Sequence, residues 1–185
     1  MIDAIRKRVV DKLKNDPGRL GHVQGVVDTA LKLAGIHDVD LEKTAMAAWY
    51  HDIMKNDDVN DQTALLDDTI IKRYADMPVQ YHAHAAAVAL ERDFNIRDPE
   101  VLDAIRHHVW GRAGMGRLEQ IIFVADLCEP GRGFIDTEAL YQLATKNLDN
   151  AVLMAMKIII DHLNQSGLRP HPEQLEAYHH YQKEE

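Results

Sequence analysis

The chain is poor in the features that mark several large protein classes. Cys128 is the one cysteine among 185 residues. No intrachain disulfide can staple the fold, and a reducing compartment, the cytoplasm, is expected. Aromatic residues make up only 6% while alanine and leucine are frequent, which leans toward helix. No stretch alternates apolar and polar residues in the manner of a strand, and no repeat of about 20–50 residues occurs. The longest basic run is Arg6-Lys7-Arg8, in a chain of net charge −9. Without a cationic face, a nucleic-acid partner is not expected. The longest apolar runs, such as Ala45 to Tyr50, are far too short to cross a bilayer. Met1 to Lys14 carries Asp3 and Asp11 and no apolar centre, unlike a signal peptide.

What is present is helix after helix. Hydrophobic residues reach 46% and charged residues 28%, ordinary for a globular chain large enough to bury a core. Ile2, Ile5, Val9 and Leu13 recur at helical spacing. Asp16-Pro17 is a cap followed by proline at the first helical position, and Gly35 is expected to close the helix that follows. Asp40 is expected to cap a third helix over 41–54, and a fourth is expected over about 62–74. The alanine-rich text from Val79 to Phe94 predicts another, Asp98-Pro99 opens the next, and Leu118 to Leu127 is strongly apolar. Two more are expected over 137–146 and about 148–165, before a tail from about 168 with two prolines, a short possible helix and a polar end. The expected fold is all-α, one compact helical bundle spanning 1–185.

Polar residues interrupt this apolar text at a few places. His51-Asp52 follows directly on Trp49-Tyr50, and such a pair is costly to bury without a partner. His22, His82 with His84, His107 with His108, and Asp126 sit in similar surroundings. Imidazole and carboxylate are common donors for first-row transition metals, and no cysteine pairs compete with them. Neighbours on a helix point about 100° apart, so His51 and Asp52 reach a common centre only between their two directions. An aspartate can also bridge two metals through its two oxygens. A lone histidine is more often a hydrogen-bonded core or surface residue. His37, His171, His179 and His180 read as solvated, and His162 as a bystander. His82 and His84 remain alternatives at this level, as do His107 and His108.

The order of these residues resembles the HD-domain metal-dependent phosphohydrolases. Arg19-Leu20-Gly21-His22-Val23-Gln24-Gly25-Val26, His51-Asp52-Ile53-Met54-Lys55, Arg106-His107-His108-Val109-Trp110-Gly111-Arg112 and Ala125-Asp126-Leu127-Cys128-Glu129-Pro130-Gly131-Arg132 are similar to the YqeK-like family. That family comprises the symmetrical bis(5′-nucleosyl)-tetraphosphatases. The likeness runs from about Ile2 to Leu168, and its most specific piece is the Glu-Pro-Gly-Arg loop. It implies metal ligands His22, His51, Asp52, His82, His108 and Asp126, with Asp52 bridging. At the start of the fifth helix the chain departs from the family pattern. Tyr81 replaces a leucine and His84 stands at the place of a proline, which keeps His84 a competitor for the ligand role and a candidate substrate contact.

The resemblance further implies symmetrical hydrolysis of diadenosine tetraphosphate to two ADP by a water activated between two metals. Iron is the implied metal, and the same donors accept manganese, zinc or cobalt. Lys55, one turn beyond Asp52, and Arg132, on the loop after Asp126, are the candidates to bind phosphate and stabilise the departing charge. The rival readings are another HD phosphohydrolase, such as a nucleotidase or phosphodiesterase, and a nucleotide-sensing module without catalysis. A homodimer through a two-fold interface is compatible with a small helical enzyme.

Overall fold

The computed structural model describes residues 1–133 and 136–183, which form eleven α-helices and no strand. They are α1 (Ile2–Leu13), α2 (Pro17–Ile36), α3 (Leu41–Tyr50), α4 (Val59–Thr63), α5 (Asp68–Arg73), α6 (Tyr81–Phe94), α7 (Pro99–Arg106), α8 (Arg117–Cys128), α9 (Thr137–Lys146), α10 (Leu148–Gln165) and α11 (Pro172–Gln182). The expected caps are in place. The carboxylates of Asp16, Asp40 and Asp98 accept backbone N–H groups at the starts of α2, α3 and α7, bonds worth about 1 kcal/mol each.

Four boundaries differ from the sequence expectation. α2 runs past Gly35, and the left-handed turn falls on Asp38 at φ 55°, a residue type that tolerates that conformation. α3 stops at Tyr50 rather than continuing to Met54; Ile53 and Lys55 then donate to the carbonyls of Tyr50 and Asp52 in tight turns. The expected fourth helix is two short ones, because Asp67 caps a new start by accepting from Thr69 and Ile70 N–H. The expected polar tail folds back as α11, with Ala177 and Tyr181 buried. The Tyr181 hydroxyl accepts from the Met115 N–H at 3.1 Å.

α8 is the central helix. Ile121, Ile122, Phe123, Val124 and Ala125 are all buried in succession, so the helix is enclosed on every side. Each large apolar side chain there contributes about 1.5–3 kcal/mol through burial. α8 packs against α2, α3, α7, α9 and α10. Ala83, Ala85, Ala86, Ala87 and Ala89 of α6 are buried as well, small side chains that let a helix sit close to its neighbours. α2, α3, α6, α7 and α8 thereby bring five separate sequence positions to one buried point.

Candidate metal centre

His22 comes from α2, His51 and Asp52 from the end of α3, His82 from the first turn of α6, His108 from just beyond α7, and Asp126 from the last turn of α8. The Asp52 carboxylate lies in the middle. Its Oδ1 is 3.1 Å from His82 Nε2 and 3.3 Å from His108 Nε2. Its Oδ2 is 3.6 Å from His22 Nε2 and 3.8 Å from His51 Nε2. Asp126 Oδ1 joins the second group, 2.9 Å from His22 Nε2 and 3.7 Å from His51 Nε2. The two Asp52 oxygens therefore face two different sets of histidines.

The outer nitrogens of these rings explain why the inner ones converge. His51 Nδ1 donates to the Ala48 carbonyl at 2.7 Å and His108 Nδ1 to that of Ile105 at 2.8 Å. His22 Nδ1 meets Glu129 Oε1 at 3.0 Å. With the proton on Nδ1, each Nε2 presents a lone pair inward, the arrangement of histidine ligands held by a second partner. The Nε2 atoms of His22 and His51 are buried without a hydrogen-bond partner. Those of His82 and His108 stand 3.2 Å apart. Inward-facing nitrogens around the buried Asp52 and the partly buried Asp126 carboxylates are a poor arrangement for a core and a suitable one for cations. Two trios, His22–His51–Asp126 and His51–Asp52–His108, have their donor atoms close enough to share one ion each. The donor set fits transition metals.

Electrostatics follow the same division. Burial alone would raise the Asp52 carboxyl, but the surrounding imidazoles of His51, His108 and His82 hold it well below the usual carboxylate range. Asp126 is held low too, against burial, by His22, His51 and Arg132. Burial pushes His82 down to about 4 and lowers Lys55.

Cations cap the site. Arg19 Nη1 meets Asp52 Oδ2 at 2.6 Å, and Arg132 Nη2 meets Asp126 Oδ1 at 2.6 Å. The loop after Asp126 turns Arg132 back onto it, and Arg132 Nε also donates to the Asp126 carbonyl. Arg132 is thus partly engaged in holding Asp126. Lys55 Nζ lies 3.5 Å from His82 Nε2. Arg19, Lys55, Val79, Arg132, Ile159 and His162 line a cleft of about 340 Å³ that opens onto Asp52, His108 and Asp126.

The neighbouring histidines separate. His107 Nδ1 is held by Glu119 Oε1 at 2.9 Å, and Arg112 grips the same carboxylate with two bonds of 2.8 Å. His84 packs against the Tyr74 ring in a different cavity and lines none of the cleft. Of the histidines expected to be solvated, His37 Nε2 donates to the Ala144 carbonyl and His171 stacks on Trp110, while His179 is exposed. His162 lies at the cleft instead of away from the site.

A family described as HD domain matches residues 19–131. The chain belongs to the HD-domain family. This HD-domain chain is 33% identical to a symmetrical bis(5′-nucleosyl)-tetraphosphatase of Halalkalibacterium halodurans, over 86% of its own length and 87% of the relative's. It is 33% identical to the protein of that name from Bacillus subtilis, over 74% of each chain. A crystal structure from Clostridium acetobutylicum, titled a predicted HD superfamily hydrolase involved in NAD metabolism, superposes with a TM-score of 0.86 at 31% identity. It covers 97% of both chains. The HD-domain chain is accordingly a hydrolase of this family, and its His/Asp clusters are of the kind that holds divalent metal.

Sequence reasoning missed three contributors. Arg19 lies one turn before His22 on the same face of α2, and that spacing was a usable signal. Glu129 is buried behind His22, with Gly131 N–H donating to its Oε2 at 2.6 Å. A Cβ on Gly25 would strike that same Oε2, so glycine is required there for the carboxylate to sit close to α2. His162 had no local signal, because only the packing of α10 brings it to the cleft.

Proposed function

We propose that this HD-domain hydrolase cleaves diadenosine tetraphosphate symmetrically to two ADP. The observation that carries the reading is the placement of Asp52, one oxygen toward His82 and His108 and the other toward His22 and His51, beneath a cleft with three cations. The relatives named for this activity cover most of the chain and support it. Two transition-metal ions, iron by family resemblance, with manganese, zinc or cobalt acceptable to the same donors, would supply Lewis-acid charge and a water of lowered pKa. His22, His51 and Asp126 would hold one, His82 and His108 the other, with Asp52 shared.

The chain's own groups account for the rest. Glu129 fixes the tautomer of His22, and the Ala48 and Ile105 carbonyls do so for His51 and His108. The substrate's leaving group is itself a phosphate chain, so negative charge builds on a departing oxygen. Lys55 and Arg132 stand at the cleft to bind those oxygens, Arg132 through its Nη1, which has no protein partner among the described residues. Arg19 adds a third cation. A net charge of −9 makes this local positive set the feature that draws a polyphosphate inward. The free, buried Cys128 agrees with a cytoplasmic setting. A homodimer fits the same reading, since two-fold pairing is the commonest assembly of soluble oligomers.

The test is chromatography of the products from diadenosine tetraphosphate with metal-loaded protein. ADP alone is expected. Equal amounts of AMP and ATP would overturn the symmetrical reading, and preferential turnover of nucleoside monophosphates or cyclic nucleotides would favour a different HD phosphohydrolase.

A further inference from the structure

A second cavity, of about 250 Å³, shares no lining residue with the metal cleft. It is formed by alternate residues of the same segments. His84 stands two residues from His82, about 200° round the helix, and His107 adjoins His108. Tyr74 and Trp110, both buried, supply aromatic walls. Gln80 and His84, exposed by only 2% and 8%, line it as well. Neither side chain has a hydrogen-bond partner within the protein among the described residues, and their polar atoms are not sealed off, so they remain open to a ligand in the cavity.

We propose that this cavity binds a purine base. The choice of ligand rests on the nucleotide reading given above; the existence of the site does not. The groups left unpaired decide the chemistry. Arg73 is bound to Glu173 at 2.6 Å, Arg106 to Asp103 at 2.8 Å, and Arg112 to Glu119. The cavity's positive charge is therefore already matched, and a phosphate would have to break those pairs. The free capacity belongs to an amide and an imidazole, each able to donate and to accept. A glutamine amide pairs in two-point fashion with the donor–acceptor edge of adenine. Aromatic walls suit a planar ring. The volume lies just below the ~300–1,000 Å³ of pockets for drug-sized ligands, enough for a base and too small for a whole dinucleotide. The base can come from one arm of the dinucleotide or from a separate nucleoside.

The experiment is adenosine binding to the metal-loaded protein, followed by Trp110 fluorescence in a Trp49→Phe background and by calorimetry. Adenosine carries no phosphate, and no turnover is involved, so the result is independent of whether the tetraphosphate is cleaved. Saturable binding with Kd below about 1 mM is expected. Gln80→Leu and His84→Asn should each weaken it by about tenfold or more, with unchanged thermal unfolding; if one variant unfolds, the other carries the test. Inorganic phosphate should not compete. If adenosine inhibits tetraphosphate hydrolysis competitively, the site holds a base of the substrate; if it binds without competing, it holds a separate nucleoside. No saturable binding at millimolar adenosine, binding that survives both substitutions, or displacement by phosphate would overturn the proposal.

Discussion

The two cavities on either side of the α6 N-terminus are built from the same short sequences, and only at one do imidazole nitrogens and carboxylates converge closely enough, among the described residues, to share an ion. His82 and His108 face Asp52, with their Nε2 atoms 3.2 Å apart. His84 and His107, one or two residues away, face Tyr74 and Glu119. The histidines of the α6 and α7 segments divide evenly between the two sides. What differs is what the inner nitrogen of each ring meets. At the cluster a carbonyl takes the Nδ1 proton of His51 and His108 and leaves Nε2 for a cation. At the other cavity Glu119 holds His107 Nδ1 as Glu129 holds His22, but among the described residues neither His84 nor His107 belongs to a trio of donors close enough to share an ion. A ligand histidine is recognised by the donors that its inner nitrogen meets.

Substitutions can break that contrast. His82→Ala and His108→Ala should each lose metal and nearly all turnover, whereas His84→Ala and His107→Ala should keep the full metal content. His107→Ala should cost only about 1–3 kcal/mol of stability, since Arg112 remains on Glu119. Elemental analysis beside thermal unfolding checks all four; metal loss on the His84 side would reverse the assignment of the two faces.

Arg132→Ala should lower kcat/KM for diadenosine tetraphosphate by about 100-fold, on the order of 3 kcal/mol of transition-state stabilisation. It should also weaken metal binding by about tenfold, because the guanidinium holds Asp126. Arg132→Lys should restore part of both, a point charge lacking the fork. Steady-state kinetics at saturating metal separates the two contributions, and an unchanged kcat/KM would make the loop purely structural.

Glu129→Gln should reduce metal affinity by about 10-fold and cost about 1–3 kcal/mol of stability, because the amide nitrogen must face one of two donors, His22 Nδ1–H or Gly131 N–H. Competition with a chelator measures it. An unaltered affinity would show that the His22 tautomer does not depend on Glu129.

The smallest effect belongs to the other cavity. Burial alone would raise Glu119, but His107, the Gly116 N–H and Arg112 hold it below its ordinary 4.5. A depressed carboxyl contributes stability that is fully present above pH 4.5 and is lost as pH falls through the folded-state value. Glu119→Gln should therefore unfold earlier than the parent at pH 7, by about 1–3 kcal/mol, and the gap should narrow toward pH 3. A gap that stays constant with pH would mean that the carboxylate charge contributes nothing.

Much of this was legible in the sequence because local chemistry determined it. Asp-Pro starts, an apolar α8 and an alanine-rich α6 are read from spacing and caps alone. The ligand candidates were visible because polar residues interrupt apolar text. The end of α3 was not, since Ile53 and Met54 look helical and only the site's geometry favours tight turns at His51-Asp52. Arg19, Glu129 and His162 act across helices, and one chain's periodicity carries no record of such pairings. A short helix near the C-terminus was legible, but its packing onto the core through Ala177 and Tyr181 was not, because they are too sparse a stripe to stand out among the charges around them.

The central claim is that Asp52 serves two ions at once, one through each oxygen. Metal content of anaerobically prepared protein, measured for the parent and for Asp52→Ala in parallel, tests it most directly. About two ions per chain are expected in the parent, with most of both lost together in Asp52→Ala and turnover abolished. Loss of a single ion from Asp52→Ala, or full metal content with normal turnover, would contradict it.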